Sequence, residues 1–206
     1  MGKLIPTVLD TKYENILKEE RSLAKDVSSA IITLKPLSAW DIAIPLVFII
    51  NLIKHKRTKE IFTLNFLFTK KLALEAARDM VGRDMTKEKA MVRIREKTEE
   101  ILISDEKGIY SQKIRNKQMK EVEILIDHYV RLLRSPAKDY KTMVQNAYKT
   151  WEEYNAFLIR LRQAEGDVNK AAQQTLGAAV ASDIALKMEK SVERMRETRA
   201  GKIFVF

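Results

Sequence analysis

The acidic and histidine side chains that could do chemistry gather in one short stretch. Glu123 and Asp127 are one helical turn apart, and His128 follows directly. Carboxylates at this spacing share a helix face, and together with an imidazole they are the usual groups of general acid–base catalysis. The same stretch also fits a solvated helix face lying opposite apolar positions. We favour the solvated face, so the sequence predicts no catalytic residues.

The chain has few residues that could bind a metal ion or act as a nucleophile. The chain has no Cys and only 2 His, His55 and His128. A di-metal carboxylate bundle needs Glu-x-x-His on two helices, but Leu52 and Leu125 stand three residues before the two histidines. No Gly-rich phosphate loop or Gly-x-Ser-x-Gly motif is present. We expect no metal, no cofactor and no small-molecule substrate, and the balance favours a protein that is not an enzyme.

The elements that would position any site are helices. Of the 206 residues, 46% are hydrophobic, while Gly occurs 6 times and Pro 4 times. So few turn residues argue against a β-rich fold, and apolar residues recur at helical spacing along most of the chain. The sequence therefore predicts an all-α protein, an elongated bundle of about six helices in a single domain over 1–206.

Capping patterns suggest where these helices begin and end. We expect helices to begin at Thr11, at Asp84 or Thr86, and at Ser111, and to end at Gly82. Three larger segments organise the domain: an apolar central segment over 39–82, a heptad hairpin over 111–165, and an Ala-rich C-terminal helix over 167–200 that ends at Gly201.

The heptad hairpin carries the most regular pattern. Ser135-Pro136 predicts a helix restart, and the following apolar residues step by 4 and 3 without interruption as far as Leu161. We expect two long antiparallel helices with a coiled-coil-like contact. The same positions would suit a second copy of the chain. The candidate oligomer contacts are Tyr140, Val144, Trp151, Tyr154 and Leu158.

An apolar run over 42–53 is too short to cross a bilayer, which takes about 20 residues. An aromatic residue precedes the run and a basic cluster follows it, an arrangement typical of a segment that touches anionic lipid. The alternative is a core helix buried on all sides. The candidate membrane contacts are Trp40, Lys54, Lys56, Arg57 and Lys59.

The formal charge of +10 permits nucleic-acid binding. The basic residues are spread along the chain, however, and the densest run free of acidic residues has few aromatic side chains for base stacking. A solvated helix face is the competing interpretation. The candidate nucleic-acid contacts are Lys107, Lys113, Arg115, Lys117 and Lys120.

We therefore expect a non-enzymatic interaction or scaffold protein whose partner is another protein, a second copy of itself, or an anionic membrane surface through the segment Trp40–Lys59. The alternative function is a basic helical protein associated with nucleic acid. The first residues lack the apolar stretch of a signal peptide, which favours a cytoplasmic protein with membrane association as a second property.

Overall fold

The computed structural model describes residues 7–32, 58–105, 110–176 and 178–204. These residues form eight α-helices and no strands, so the described part of the chain is all-α as predicted. The helices are α1 (Val8–Ile32), α2 (Thr58–Phe66), α3 (Phe68–Gly82), α4 (Lys87–Ser104), α5 (Gln112–Arg134), α6 (Tyr140–Tyr148), α7 (Trp151–Leu176) and α8 (Ala178–Ile203). Within the described part, none of them is both long and apolar enough to cross a bilayer.

Helices α5 and α7 are antiparallel neighbours at the centre. Lys117 near the start of α5 pairs with Asp167 late in α7, and His128 near the end of α5 stacks on Phe157 early in α7. Helix α3 packs on α5, α8 packs on α7, and α1 contacts both α3 and α8. The largest apolar cluster lies among these helices and includes Leu74, Ile126 and Leu132.

Several predicted helix limits agree with the structure. Helix α3 ends at Gly82. Thr86 caps α4 by accepting from the Lys89 amide, and Ser111 caps α5 by accepting from the Ile114 amide. In each case a short polar side chain satisfies an amide that the helix start leaves unpaired.

The first helix begins one turn earlier than predicted. Thr7 and Asp10 form the capping box: the Thr7 amide donates to Asp10, and the Asp10 amide donates to the Thr7 hydroxyl, both at 3.1 Å. The prediction at Thr11 was wrong because Thr-x-x-Asp performs the same exchange of hydrogen bonds as Thr-x-x-Glu. Thr11 instead lies inside the first turn and donates to the Thr7 carbonyl.

The helix predicted to restart at Ser135-Pro136 begins at Tyr140, and Asp139 caps it through the Thr142 amide at 2.9 Å. The segment that connects α5 to α6 is held in place by α1. The Lys12 ammonium donates to the carbonyls of Leu133 and Ser135 at the end of α5. This buried lysine occupies carbonyls that the helix end leaves unpaired.

The heptad pattern that continues to Leu161 is divided between two helices. Lys149 has φ 51° and ψ −44°, and the Thr150 amide donates to the Tyr148 carbonyl. This is a γ-turn with positive φ, which changes the direction of the chain between α6 and α7. Heptad spacing shows only which residues face the core. The spacing continues across a turn when the residues on both sides of that turn face the same core.

Two glycines predicted to end helices lie within them. Helix α7 continues through Gly166 to Leu176, and α8 continues through Gly201 to Ile203. A buried side chain comes two residues after each glycine, Val168 in α7 and Ile203 in α8. Burial of these side chains outweighs the helix cost of Gly, about 1 kcal/mol.

Candidate functional site

A cavity of about 290 Å³ opens between five helices. The end of α2, the start of α3 and parts of α5, α7 and α8 line it. Apolar side chains such as Phe66, Leu158 and Val192 line part of it. The rest of the lining is unusually polar for the interior of a bundle, and this polar part makes the cavity the candidate site.

A buried ion cluster forms one side of the cavity. Both carboxylate oxygens of Glu165 accept from Arg196, from Nη1 at 2.6 Å and from Nη2 at 2.7 Å. Lys70 Nζ lies 3.4 Å from the same carboxylate. The Lys70 side chain is 4% exposed and that of Arg196 is 10% exposed. Burial by itself would raise the pKa of Glu165, but Arg196 and Lys70 outweigh it and lower that pKa to about 2.

A second carboxyl group, Glu121, lies beside this cluster on α5. Its Oε1 accepts from the Thr69 hydroxyl at 2.7 Å, and the residue is buried. Burial raises the pKa of Glu121, and Lys70 only partly opposes that effect. The two carboxyl groups differ because Arg196 binds Glu165 through two hydrogen bonds.

Three amide oxygens among the lining residues have no hydrogen-bond partner. They are Asn65 Oδ1 on α2, Gln118 Oε1 on α5 and Asn169 Oδ1 on α7. Their residues are 7%, 3% and 2% exposed. Terminal amide torsions of Asn and Gln are broad, so the amides of Asn65 and Gln118 can turn toward the cavity at little cost. Three such acceptors among the lining residues are available to a ligand that donates hydrogen bonds.

Charged groups also flank the cavity on α7 and α8. Arg162 pairs with Glu193, and Glu189 accepts from Asn169 Nδ2 at 2.7 Å. Glu197 lines the cavity and is exposed. The cavity therefore combines apolar walls, a neutralised ion cluster and unpaired acceptors.

The acid–base cluster considered from the sequence does not form one site. Glu123 and Asp127 are exposed and lie 3.5 and 2.7 Å from Lys87 Nζ. His128 is buried on the other side of the helix, where Nδ1 and Tyr148 Oη are 2.6 Å apart. The solvated-face interpretation thus holds for the two carboxylates and fails for His128.

The candidate membrane segment falls outside the described residues. The structure does not describe 33–57, which contains Trp40, Lys54, Lys56 and Arg57, and it does not describe the side chain of Lys59.

The candidate nucleic-acid residues are divided between surface and interior. Lys113 and Lys120 are exposed, Lys117 Nζ lies 2.9 Å from Asp167, and Lys107 is outside the described part. Arg115 is 8% exposed; its guanidinium pairs with Glu99 at 2.6 Å. It also donates to the Thr98 hydroxyl and the Arg95 carbonyl.

The candidate oligomer residues contact other helices of the same chain. Val144 and Tyr154 are buried, whereas Tyr140, Trp151 and Leu158 are half-buried against the same apolar cluster. Phe204, which follows α8, packs near them, with its ring centroid 6.4 Å from that of Trp151 and 5.6 Å from that of Tyr154.

Sequence reasoning missed the cavity, although a signal for it was present. Gln118 and Glu121 fall between Ile114 and Leu125 at helical steps of 4, 3 and 4, on a face that is otherwise buried. Polar residues at core positions of an amphipathic helix either pair with each other or surround a ligand. Glu165 interrupts the buried face of α7 in the same way, between Leu161 and Val168.

Compared with protein-family models, with curated proteins and with solved structures, the chain shows no match.

Proposed function

We propose that this chain is a non-enzymatic binding protein that holds a small molecule in the cavity between α2, α3, α5, α7 and α8. The observation that carries the proposal is the set of three buried, unpartnered amide oxygens of Asn65, Gln118 and Asn169. A buried acceptor without a partner costs about 1–3 kcal/mol. A ligand that donates hydrogen bonds would recover that free energy.

The dimensions and lining of the cavity support the same proposal. Ligand pockets typically enclose about 300–1,000 Å³, with apolar walls and a few polar groups that fix orientation. At about 290 Å³, this cavity suits a small ligand. Phe66 and Val192 supply apolar wall, and the amides supply the polar groups.

The ion cluster suits a binding cavity. Lys70 and Arg196 are both held by Glu165, and Glu121 is bonded to Thr69. Groups paired in this way shape a site and stabilise its walls, which is what a binding cavity requires. The interaction role predicted from the sequence fits this proposal, because an occupied cavity would link five helices into a firmer surface for a partner.

The test begins with the change Gln118→Met, which keeps the shape of the side chain and removes the unpartnered oxygen. We expect the free protein to gain roughly 1 kcal/mol in stability, because an unsatisfied buried acceptor disappears. We expect ligand binding to weaken, because the ligand loses an acceptor. Stability is measured by urea unfolding, and binding by saturation-transfer NMR with a library of donor-bearing fragments.

The matched control is Gln163→Met, the same change on the exposed face of α7. Fragments should bind this variant as they bind the wild type, and its stability should change little. Equal binding of every fragment to both variants, or no fragment binding to the wild type, would contradict the proposal.

A further inference from the structure

Three hydrogen-bond acceptors among the lining residues have no partner. The three unpartnered oxygens belong to Asn65, Gln118 and Asn169. The amide nitrogen of Asn169 is already used, since it donates to Glu189 at 2.7 Å. Among the cations of the lining, Lys70 and Arg196 donate to Glu165. A ligand that fits this site must bring donors of its own.

The lining is also acidic. It contains five carboxyl groups and three cations, so the walls carry an excess of negative groups. Three of the carboxyl groups form no ion pair within the described part of the chain. They are Glu121, Glu189 and Glu197. The field of Glu189 and Glu197 favours a positively charged ligand, and the low dielectric of a partly enclosed cavity strengthens it.

Two of these carboxyl groups lie next to the unpartnered amides. Glu189 is hydrogen-bonded to Asn169, and Glu121 lies one helical turn from Gln118 on α5. Each of these two amides therefore has a carboxyl group beside it in the cavity lining. A primary ammonium group has three N–H donors and one positive charge, which matches amide and carboxylate oxygens together.

The remaining lining suits an apolar body. Leu158, Val168, Met188 and Val192 line the cavity from α7 and α8. The ring of Phe66 already faces a cation, because Lys70 Nζ lies 4.1 Å from its centroid. The ligand ammonium is therefore expected near the amides, with its carbon chain along the aliphatic residues.

We infer that the cavity binds a small alkylammonium compound, whose N–H groups are bound by Asn65, Gln118 and Asn169 and whose charge is neutralised by Glu189. This inference rests on the proposed function, because it names the chemical class of the ligand.

The test compares four probes with the same six-carbon chain and different head groups: hexylamine, hexan-1-ol, hexyltrimethylammonium and hexanoate. Isothermal titration calorimetry at pH 7 measures their binding to the full chain. Hexylamine should bind at least tenfold more tightly than hexan-1-ol, which lacks the charge, and than hexyltrimethylammonium, which lacks N–H donors. Hexanoate should not bind, because its carboxylate would face acceptors and negative charge.

The variant Glu189→Gln should weaken hexylamine about tenfold and leave hexan-1-ol unchanged, because it removes charge and keeps an acceptor. The matched control is Glu100→Gln on α4, an exposed glutamate outside the cavity lining. It should bind hexylamine as the wild type does.

The outcomes distinguish a failure of the ammonium inference from a failure of the proposed function. If hexan-1-ol or hexanoate binds as tightly as hexylamine, the site takes a small molecule but the ammonium inference is wrong. Equal affinity for hexyltrimethylammonium, or no effect of Glu189→Gln, would also overturn it. If neither these probes nor the fragment library binds, the cavity is filled by water alone and the proposed function fails as well.

Discussion

Arg196 on α8 donates to both carboxylate oxygens of Glu165 on α7, at 2.6 and 2.7 Å. Lys70 on α3 approaches the same carboxylate at 3.4 Å. One carboxylate therefore joins three helices at the wall of the cavity. The arrangement matters for stability because each of these charges has been moved out of water, and each depends on the others for compensation.

We predict that Glu165→Gln destabilises the protein by about 3–5 kcal/mol, because it leaves Arg196 and Lys70 buried without their shared counter-charge. Urea unfolding at pH 7, followed by circular dichroism, measures the change. As a control, Lys87→Met breaks the partly exposed pair between α4 and Asp127. That change should cost about 1 kcal/mol or less. A loss of less than 1 kcal/mol for Glu165→Gln would show that the buried cluster stabilises the protein no more than an exposed ion pair does.

A second prediction concerns acid stability and His128. This imidazole is buried, stacks on the Phe157 ring at 4.1 Å and is hydrogen-bonded to Tyr148. Burial, reinforced by the nearby Arg196 and Arg131, lowers the pKa of His128 to about 3. The folded state disfavours the protonated ring. The contribution of neutral His128 to the free energy of unfolding is therefore complete above pH 6.5. It is lost progressively as the pH falls toward 3.

The variant His128→Gln cannot bind the proton and keeps a polar partner for Tyr148. Its free energy of unfolding, measured between pH 7 and pH 4, should fall less steeply than that of the wild type. The difference in slope should approach about 1.4 kcal/mol per pH unit below pH 6. Carboxyl groups titrate in both proteins and cancel in the comparison. Parallel pH profiles would be incompatible with a neutral, buried His128.

Much of the fold follows from local sequence signals. Helical periodicity identified the all-α class, and the caps at Thr86 and Ser111 were found because a short polar side chain before an apolar stripe has a direct physical role. The γ-turn at Lys149 and the continuation of α7 through Gly166 were missed. Both depend on tertiary packing, which outweighs local propensity and leaves no mark in the spacing of apolar residues.

The cavity could be predicted from the sequence less well than the fold. Gln118 and Glu165 stand at core positions of their helices, which indicates that something polar is buried there. The periodicity of one helix does not say which other helix it faces, so the partners Arg196 and Lys70 could not be assigned. Asn65 Oδ1 lacks a hydrogen-bond donor because of how the helices pack together. The sequence of a single segment therefore cannot show it.

A third prediction tests the backbone at Lys149. A non-glycine residue with φ 51° and ψ −44° is strained, and glycine adopts positive φ freely. We expect Lys149→Gly to stabilise the protein by about 0.5–1 kcal/mol in thermal or urea unfolding. The matched control is Lys141→Gly, an exposed position inside α6, which should be destabilised by about 0.5–1 kcal/mol. Destabilisation by Lys149→Gly similar to that of the control would mean that Lys149 has ordinary helical geometry.

The last prediction concerns the proposed membrane contact through Trp40–Lys59. Each Lys or Arg near an anionic surface contributes about 1 kcal/mol to binding. Changing Lys54, Lys56, Arg57 and Lys59 to Gln should therefore sharply reduce sedimentation with vesicles that contain phosphatidylserine. Helical circular dichroism should be unchanged. The control variant removes the same amount of charge elsewhere, by changing four exposed lysines to Gln: Lys113, Lys120, Lys138 and Lys141. If both variants lose vesicle binding equally, the interaction reflects overall charge alone, and if neither loses it, the segment has no part in lipid binding.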